Sequence, residues 1–353
     1  MDINLKEYPV TRYQGSKRKI LPWIHAALTE LDLKYESALD GFGGTASVSY
    51  LFKKMGKTVT YNDVLRFNHL IGKAIIENNS VGLSDSQISE ILSHTSTSNI
   101  VQGLFDDFYY LADENKWIDD VVAGITQTDG INEYQQAIAF YALFQACLIK
   151  RPFNLFHRKN LSLRTNDVPR NFGNKTSWEK PFPELFRKFI AEANRLVIDT
   201  KKPCLSINQS VFSIDPYQYE LAYFDPPYFT ENHQETSNYH KCYHFLEGLA
   251  NYSSWEGMID NNTQIRKLFD TETSNEFTKK NIDDKLEQLL YKFRKSIIVM
   301  SYKEGGMPSI GFLESLLKKL DKKVITTSIH YKYALNHQNG DAKKNREVLI
   351  IGI

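Results

Sequence analysis

The feature that most constrains the fold is a short apolar run that ends in two consecutive prolines. The run Leu221 to Phe224 has the length and composition of a buried strand, and the sequence Asp-Pro-Pro-Tyr follows it at Asp225 to Tyr228. Proline has no backbone donor for a sheet ladder, so the strand must end there. Because two prolines keep the backbone extended, the acid and the aromatic ring beside them are held in a fixed relative geometry. This rigid presentation suits a binding site, and a plain turn with a packed tyrosine is the alternative.

The rest of the chain alternates between strand and helix patterns around a helical middle. The segment Tyr35 to Val64 predicts a βαβ unit. Its parts are a strand ending at Leu39, a glycine-rich turn at Asp40 to Thr45, a helix through Lys54 and a second strand over Thr58 to Asn62. Helical patterns dominate from about Phe67 to Lys150, and a polar, mobile stretch is expected between Asp225 and about Phe277. We therefore predict a doubly wound α/β sheet interrupted by a second module. The predicted division is 1–80 and 200–353 for the sheet domain and 81–199 for an inserted, mainly helical and basic region.

Composition narrows the class of protein. The 353 residues are 42% hydrophobic and 13% aromatic, which is ample for a packed core, and the formal net charge is only +1. No stretch approaches the roughly 18 apolar residues of a membrane span, so we expect a cytoplasmic protein without a membrane partner. The three cysteines lie far apart, so neither a disulfide framework nor a metal site is predicted.

One segment departs from this overall neutrality, because the chain between Lys150 and Lys202 is net basic. It also carries aromatic residues, among them Phe156 and Trp178. Basic residues mixed with aromatic and amide side chains are typical of a nucleic-acid surface, and a solvated basic face is the alternative. We favour the nucleic-acid surface.

Two turns with chemically useful residues follow predicted strands. In a doubly wound sheet, ligands bind beyond the carboxyl ends of the strands, and the glycine-rich turn at Asp40 to Thr45 and the turn at Asp225 both lie there. The glycines allow the backbone to approach a ligand closely, and Asp63, after the second strand, is placed to accept hydrogen bonds from ribose hydroxyls. Asp40 and Asp63 could equally be caps or turn residues.

Three motifs together carry a family resemblance. In chain order they are "RYQGSKRKIL", "LDGFGGTASV" with "YNDV", and "LAYFDPPYF". This set resembles the Dam-like alpha group of S-adenosylmethionine-dependent DNA adenine-N6 methyltransferases of restriction-modification systems, and the DPPY element is its most specific mark. The segments "RPFNLFHRKNLSLR" and "RNFGNKTSWEKPF" and the terminal "KNREVLIIGI" extend the resemblance over nearly the whole chain. It implies a Rossmann-like methyltransferase sheet and, in the inserted region, a DNA target-recognition module.

The resemblance also implies a cofactor, partners and site residues. S-adenosylmethionine is the implied cofactor and double-stranded DNA the implied substrate, with a restriction endonuclease for the same site as a further partner. Cofactor contacts are implied for Tyr13, Gly15, Lys17, Asp40, Gly41, Phe42, Gly44 and Asp63. DNA contacts are expected from Arg12, Arg158, Asn160 and Arg164, for which a structural salt bridge or hydrogen bond is the alternative.

The chemistry of amine methylation agrees with these assignments. An exocyclic amine is a poor nucleophile, because its lone pair is delocalised into the ring. We hypothesise that the Asp225 carboxylate and the Pro226 carbonyl accept its two N–H bonds, which favours a lone pair aimed at the methyl group. Pro227 completes the rigid turn, and Tyr228 stacks on a base flipped out of the duplex. The sequence therefore predicts a site-specific DNA adenine-N6 methyltransferase.

Three other functions stay open at the level of sequence. Methylation of cytosine N4 uses the same geometry, although the Asp at the first position of the motif favours adenine. A dinucleotide-binding oxidoreductase would fit the βαβ unit with Asp63 alone, but the DPPY turn has no role in hydride transfer. A catalytically inactive DNA-binding subunit would leave an intact Asp225 motif unused.

Overall fold

A seven-stranded sheet forms the centre of the computed structural model, which describes residues 3–151, 154–166, 178–229, 238–330 and 346–353. The strands are Ser37–Asp40 (β1), Thr58–Asn62 (β2), Cys204–Ile207 (β3), Leu221–Phe224 (β4), Ile297–Lys303 (β5), Val324–His330 (β6) and Arg346–Gly352 (β7). Their order is β3-β2-β1-β4-β5-β7-β6. The first five strands in this order are parallel to one another, whereas β7 is antiparallel to both β5 and β6.

Helices cover both faces of this sheet. They lie at Leu21–Glu30 (α1), Ser47–Lys54 (α2), Arg66–Gly72 (α3), Asp85–Ser93 (α4), Ile100–Leu104 (α5), Ala112–Gln127 (α6), Glu133–Ile149 (α7), Ser162–Thr165 (α8), Phe182–Leu196 (α9), Tyr239–Cys242 (α10), His244–Ala250 (α11), Trp255–Met258 (α12), Ile282–Lys292 (α13) and Ile310–Lys319 (α14). None of the helices in the described ranges is long and apolar enough to cross a membrane. The parallel pairing and the two helical layers confirm the predicted doubly wound, Rossmann-like α/β fold.

Strand β4 is buried on both faces, which explains why apolar and polar residues do not alternate along it. Leu221 and Tyr223 belong to the hydrophobic core on one face of the sheet, and Ala222 and Phe224 belong to the core on the other face. A strand covered on both faces needs apolar residues at every position. The core beside Leu221 includes residues of α1, α2 and α3, while the opposite core is built from α13 and α14.

The inserted region shares its core with the sheet. All seven strands lie outside residues 81–199, but α7 and α9 pack on each other, and α7 also packs on α3. Ile138 of α7 and Phe189 of α9 fall in the same hydrophobic cluster as Val59 of β2. The division into a sheet domain and an inserted module stays a prediction. Helices α7 and α9 of the inserted region belong to the same core as the sheet and do not form a separate one.

The expectation of a polar, mobile stretch up to Phe277 is wrong for residues 238–277, which contain α10, α11 and α12. Phe245 and Trp255 are fully buried there. The indole of Trp255 packs so closely on Gly248 that an added Cβ would lie 1.8 Å from it. Helices of four to seven residues are too short to show an amphipathic period, so the polar neighbours dominated the sequence pattern. The part of this stretch at 230–237 lies outside the described residues.

Candidate active site

A cleft opens at the carboxyl edge of three neighbouring strands. Asp40 at the end of β1 is in register with Tyr61 of β2 and with Tyr223 of β4, so the turns after these strands meet. The chain passes from β1 to β2 and β3 on one side and returns to β4 on the other, and such a reversal is where doubly wound sheets bind ligands. The cleft measures about 1040 Å³, counted out to the solvent at its mouth. All eight predicted cofactor residues line it, together with Asp225 and Pro227.

The glycine-rich turn is shaped by packing inside the protein. A Cβ added to Gly41 would lie 2.8 Å from the ring of Phe224, and one added to Gly43 would lie 2.1 Å from the ring of Tyr61. Both glycines line the cleft. Any larger residue at these positions would clash with Phe224 or Tyr61, so internal packing explains the glycines without close approach to a ligand. Gly44 adopts the left-handed conformation, with φ of 47°.

Asp40 presents an unpaired oxygen to the cleft. The side chain is 1% exposed, and its Oδ2 accepts a hydrogen bond of 2.7 Å from Ser49 Oγ. Its Oδ1 is buried without a hydrogen-bond partner. Burial raises the pKa of Asp40 to about 7. An orphaned acceptor of this kind is costly unless a ligand donor pairs with it.

Asp63 both fixes the glycine turn and faces the cleft. Its Oδ2 accepts hydrogen bonds of 2.9 Å from the Gly44 N–H and 3.0 Å from Asn68 Nδ2. Its Oδ1 accepts 2.9 Å from the Leu65 N–H. An ionised carboxylate offers about four acceptor positions, so one is left for a ligand. Burial raises the pKa of Asp63 to about 6.

The N-terminal loop is held by two tyrosines that sequence reasoning missed. The ring of Tyr13 stacks on Tyr243 with centroids 4.5 Å apart and on Tyr239 at 5.4 Å. The Gln14 N–H donates to Tyr243 Oη at 2.7 Å, and Gly15 adopts a positive φ of 83°. The spacing of four residues between the tyrosines places both on one side of a helix, and this was the available signal.

Lys17 joins the predicted catalytic acid to a second buried carboxylate. Its Nζ lies 3.0 Å from Asp225 Oδ1 and 2.8 Å from Glu347 Oε1. Ser301 Oγ donates to the same Glu347 oxygen at 2.9 Å. Burial lowers the pKa of Lys17, but the two carboxylates outweigh this and hold it well above its usual value. Burial raises the pKa of Asp225 to about 6, with Lys17 opposing the rise and Glu347 adding to it.

Glu347 was also missed by sequence reasoning. Its side chain is fully buried, although it lies on the apolar strand β7. The signal that could have found it is a single acid at the start of the run "EVLIIGI", because buried acids are rare unless paired.

The DPPY turn contacts strand β5 and the loop that follows it. The ring of Tyr228 lies edge-on to Tyr302 at 5.9 Å between centroids. The Met307 N–H donates to the Phe229 carbonyl at 2.9 Å, while Pro226 is buried. The turn that carries Asp225 is therefore fixed at both ends.

An apolar end of the cleft comes from segments that the sequence did not single out. Phe277 lies 5.5 Å from Phe42 and 5.8 Å from Phe212 between ring centroids. Val211 and Glu276 also line this end, and Glu276 accepts a hydrogen bond from Ser210 Oγ. No local motif marks residues 273–277, because their role depends only on where the chain passes.

The predicted DNA contacts fall into two groups. Arg158 is exposed, and Arg12 and Asn160 are half-buried. Arg164 instead forms two hydrogen bonds of 2.8 Å with Glu114 and is 7% exposed at its side chain. The structural ion pair, which was the alternative for Arg164, is what the structure shows. The part of the basic segment at 167–177 lies outside the described residues.

Two further basic residues of this segment are also structural. Lys150 pairs with Glu114 at 2.7 Å, and Arg151 donates from its guanidinium to the carbonyls of Leu155, Arg158 and Lys159. Both are 2% exposed. Part of the positive charge that the sequence assigned to a surface therefore organises the loop that displays Arg158. Within the described ranges, no group of three His, Cys, Asp or Glu side chains is placed to hold a metal ion.

The fold and the cleft define a Rossmann-like α/β protein, whose cleft at the switch point contains a rigid acid–aromatic turn. Comparison with known families gives the particular class. The family model of D12 class N6 adenine-specific DNA methyltransferases matches residues 13–304, and the chain belongs to this family. It is an adenine-specific DNA methyltransferase that acts on N6, as predicted, and the cytosine-N4 and oxidoreductase alternatives are set aside.

Individual proteins show the same relationship. The chain is 26% identical to the Type II methyltransferase M2.HphI of Haemophilus parahaemolyticus, with 99% of both chains covered. It is 24% identical to the modification methylase StsI of Streptococcus sanguinis and 22% identical to the modification methylase LlaI of Lactococcus lactis subsp. lactis. In both of these pairs 96% of this chain is covered, and it spans 50% and 54% of the respective relative.

Proposed function

We propose that the protein transfers a methyl group from S-adenosylmethionine to N6 of an adenine that is flipped out of double-stranded DNA at a specific sequence. The observation that carries this proposal is the shared cleft. Asp225, the proposed acceptor for the target amine, lines the same cleft as Asp40 and Asp63, the proposed cofactor acids. Donor and acceptor of the methyl group can therefore be held in contact.

The cleft residues fit the cofactor in charge and hydrogen bonding. S-adenosylmethionine, when bound, supplies an electrophilic methyl group on a positively charged sulfur. Four acids line the cleft, namely Asp40, Asp63, Asp225 and Glu276, and they outnumber the ammonium of Lys17, so the cleft favours a cationic ligand. The orphaned Oδ1 of Asp40 can accept a hydrogen bond from the ammonium group of the cofactor, and the remaining acceptor position of Asp63 suits a ribose hydroxyl.

The apolar end suits an adenine ring. Phe42, Val211 and Phe277 offer apolar and aromatic faces there. Tyr13 and Gly15 close the opposite side through the loop that Tyr239 and Tyr243 hold. Gly41 and Gly44 contribute the backbone of the turn between these two sides.

At the other end of the cleft, the DPPY turn would receive the target base. The Asp225 carboxylate and the Pro226 carbonyl accept the two N–H bonds of the amine, and this directs its lone pair toward the methyl group. Tyr228 supplies the ring that stacks on the flipped base and replaces part of its lost stacking in the duplex. Pro227 keeps these groups in register.

DNA is gripped by the inserted region and the N-terminal loop. Arg158 and Asn160 lie on the loop that Arg151 organises, and Arg12 lies beside the cofactor loop. We assign these three to DNA contacts and leave Arg164 with Glu114. Residues 81–199 would thus form the target-recognition module inserted into the catalytic domain of 1–80 and 200–353.

The relatives suggest a biological setting. Two of them are named modification methylases and the third a Type II methyltransferase. We propose that this chain protects DNA in a restriction-modification system, paired with an endonuclease that recognises the same site.

The test is to incubate the protein with labelled S-adenosylmethionine and duplex DNA of varied sequence, and to digest the product to nucleosides. Label is expected in N6-methyladenine. Asp225→Asn should lower kcat about 100- to 1,000-fold, because the amide carries no negative charge to stabilise the positive charge that develops on the amine. Asp215→Asn is the matched control, because Asp215 is exposed at the surface, and it should leave kcat unchanged.

Binding of the cofactor must be measured in parallel by calorimetry. Asp225→Asn should still bind S-adenosylmethionine, since the assigned cofactor acids are intact. Near-normal turnover of Asp225→Asn would remove this residue from the catalytic role, and label in N4-methylcytosine would overturn the proposed substrate.

A further inference from the structure

Glu347 is a buried acid to which the proposed function assigns no role. It lies on β7, far along the chain from the cofactor and DPPY motifs, and its side chain is fully buried. Its Oε1 is 2.8 Å from Lys17 Nζ, and the same ammonium is 3.0 Å from Asp225 Oδ1. Lys17 therefore bridges an acid in the cleft to an acid inside the sheet.

The charges of these three groups matter for the reaction. With Glu347 ionised, the group Glu347–Lys17–Asp225 carries a net charge of −1. Without Glu347, the Lys17 ammonium would cancel the charge of Asp225, and the pair that faces the target amine would be neutral. In a buried site, such a change alters the local potential more than it would in water.

Methyl transfer creates positive charge next to Asp225. The lone pair of the amine forms the new N–C bond while the C–S bond breaks and its electrons stay on sulfur. The amine nitrogen becomes positively charged, the sulfur loses its charge, and the nitrogen then releases a proton to solvent. A net negative group beside the nitrogen stabilises this transition state, whereas a neutral pair does so less.

We propose that Glu347 is a positioning residue, which acts through Lys17 to hold its ammonium away from the target amine and to keep the negative charge of Asp225 available to it. This inference rests on the proposed catalytic role of Asp225. Ser301 supports it by donating to the Glu347 oxygen that also faces Lys17. Lys17, in turn, favours the ionised form of Asp225, whose side chain is 21% exposed in the cleft.

Other titratable groups face Asp225 as well. Besides Lys17 and Glu347 they are Asp40, Tyr223 and Tyr239, while Tyr228 faces Lys17 and Lys303 faces Glu347. Glu347 adds to the rise of the Asp225 pKa, so removing its charge should lower that pKa.

The test compares Glu347→Gln with Glu347→Asp in steady-state kinetics over a range of pH. Glu347→Gln should lower kcat about tenfold or more, with the KM for cofactor and for DNA changed less than about threefold. The acid limb of its kcat profile should move to lower pH. Glu347→Asp keeps the charge in the same cavity, so it should retain most of kcat and the position of the acid limb, although both variants disturb packing.

A double variant keeps the proposal testable if Glu347→Gln does not fold. Lys17→Met with Glu347→Gln removes both members of the buried pair, which is better tolerated than removing one of them, and leaves Asp225, whose side chain is 21% exposed, as the remaining acid. Because Asp225 then loses its nearest cation, the acid limb of the remaining activity should move to higher pH, opposite to the single variant.

A control and the decisive outcomes complete the experiment. Glu114→Gln removes a buried acid that is paired with Lys150 outside the cleft, and it should leave the acid limb unchanged. Wild-type kcat in Glu347→Gln, equal losses in Gln and Asp variants, or an unmoved acid limb in the double variant would overturn the proposal. An active Asp225→Asn would instead refute the proposed function, so the two failures are distinguishable.

Discussion

Replacement of Asp63 by asparagine tests the cofactor site with almost no change in shape. The carboxylate accepts three hydrogen bonds from the protein, two at Oδ2 and one at Oδ1. An amide can accept at only one of its two ends. It should therefore orient its oxygen toward the Gly44 N–H and Asn68, and its amino group would then face the Leu65 N–H.

The expected magnitudes follow from this geometry. One buried N–H is left without an acceptor, which costs about 1–3 kcal/mol of folding free energy. The hydrogen bond from the ribose is weakened by the loss of charge, and bonds to charged groups contribute about 1.5–3 kcal/mol. The Kd for S-adenosylmethionine should therefore rise by about 10- to 150-fold, while kcat at saturating cofactor changes little, since Asp63 is assigned to the cofactor and not to the target amine.

Calorimetric titration with S-adenosylmethionine and a thermal unfolding scan measure both effects. Asp215→Asn is the matched control, because Asp215 is exposed and accepts hydrogen bonds only from its near neighbours in the chain, Tyr217 and Gln218. A folded Asp63→Asn protein that binds the cofactor within about twofold of the wild type would refute the assignment of Asp63.

Three further predictions concern the target base and DNA. Burial raises the pKa of Asp225 to about 6. Only the ionised form carries the negative charge that stabilises the reacting amine, so kcat should fall about tenfold from pH 7 to pH 5, whereas an ordinary aspartate would give almost no change. Tyr228→Ala should weaken binding of the flipped base by about 1–3 kcal/mol, and Tyr228→Phe should preserve it, as measured by KM for DNA. Arg158→Ala should reduce the salt dependence of DNA binding by about one unit of log–log slope.

Controls separate these effects from loss of structure. The pH profile is compared with a fluorescence scan for unfolding, and a flat kcat between pH 5 and pH 7 would contradict the role of Asp225. Equal KM values for the Ala and Phe variants of Tyr228 would contradict stacking. Arg164→Met should reduce stability by breaking the pair with Glu114, yet leave the salt slope unchanged; a reduced slope would return Arg164 to the DNA surface.

The local elements could be read from the sequence because they depend on neighbouring residues. The strand at Thr58–Asn62 and the helix through Lys54 have the bounds that the sequence predicts. The same holds for the strand before Asp225, because a proline pair and an apolar run are local signals. Since parallel strands bring their carboxyl ends to one edge, the meeting of the glycine turn, Asp63 and the DPPY turn also followed from the sequence.

Other features depended on contacts between distant parts of the chain. Glu347 faces Lys17 only because β7 enters the sheet between β5 and β6. Phe277 reaches the cleft through a segment with no motif, and Arg164 is neutralised by a glutamate on another helix.

The sequence by itself determined the fold class and the edge of the sheet where the glycine turn, Asp63 and the DPPY turn meet, because these follow from periodicity, turn chemistry and the geometry of parallel strands. Only the tertiary structure decided which charges are paired and which are free to act. Lysines and arginines read alike in a sequence, but burial against a carboxylate, as at Lys17 and Arg164, changes their role. The physical reason is that electrostatic interactions depend on distance and solvent exposure, and neither is encoded locally.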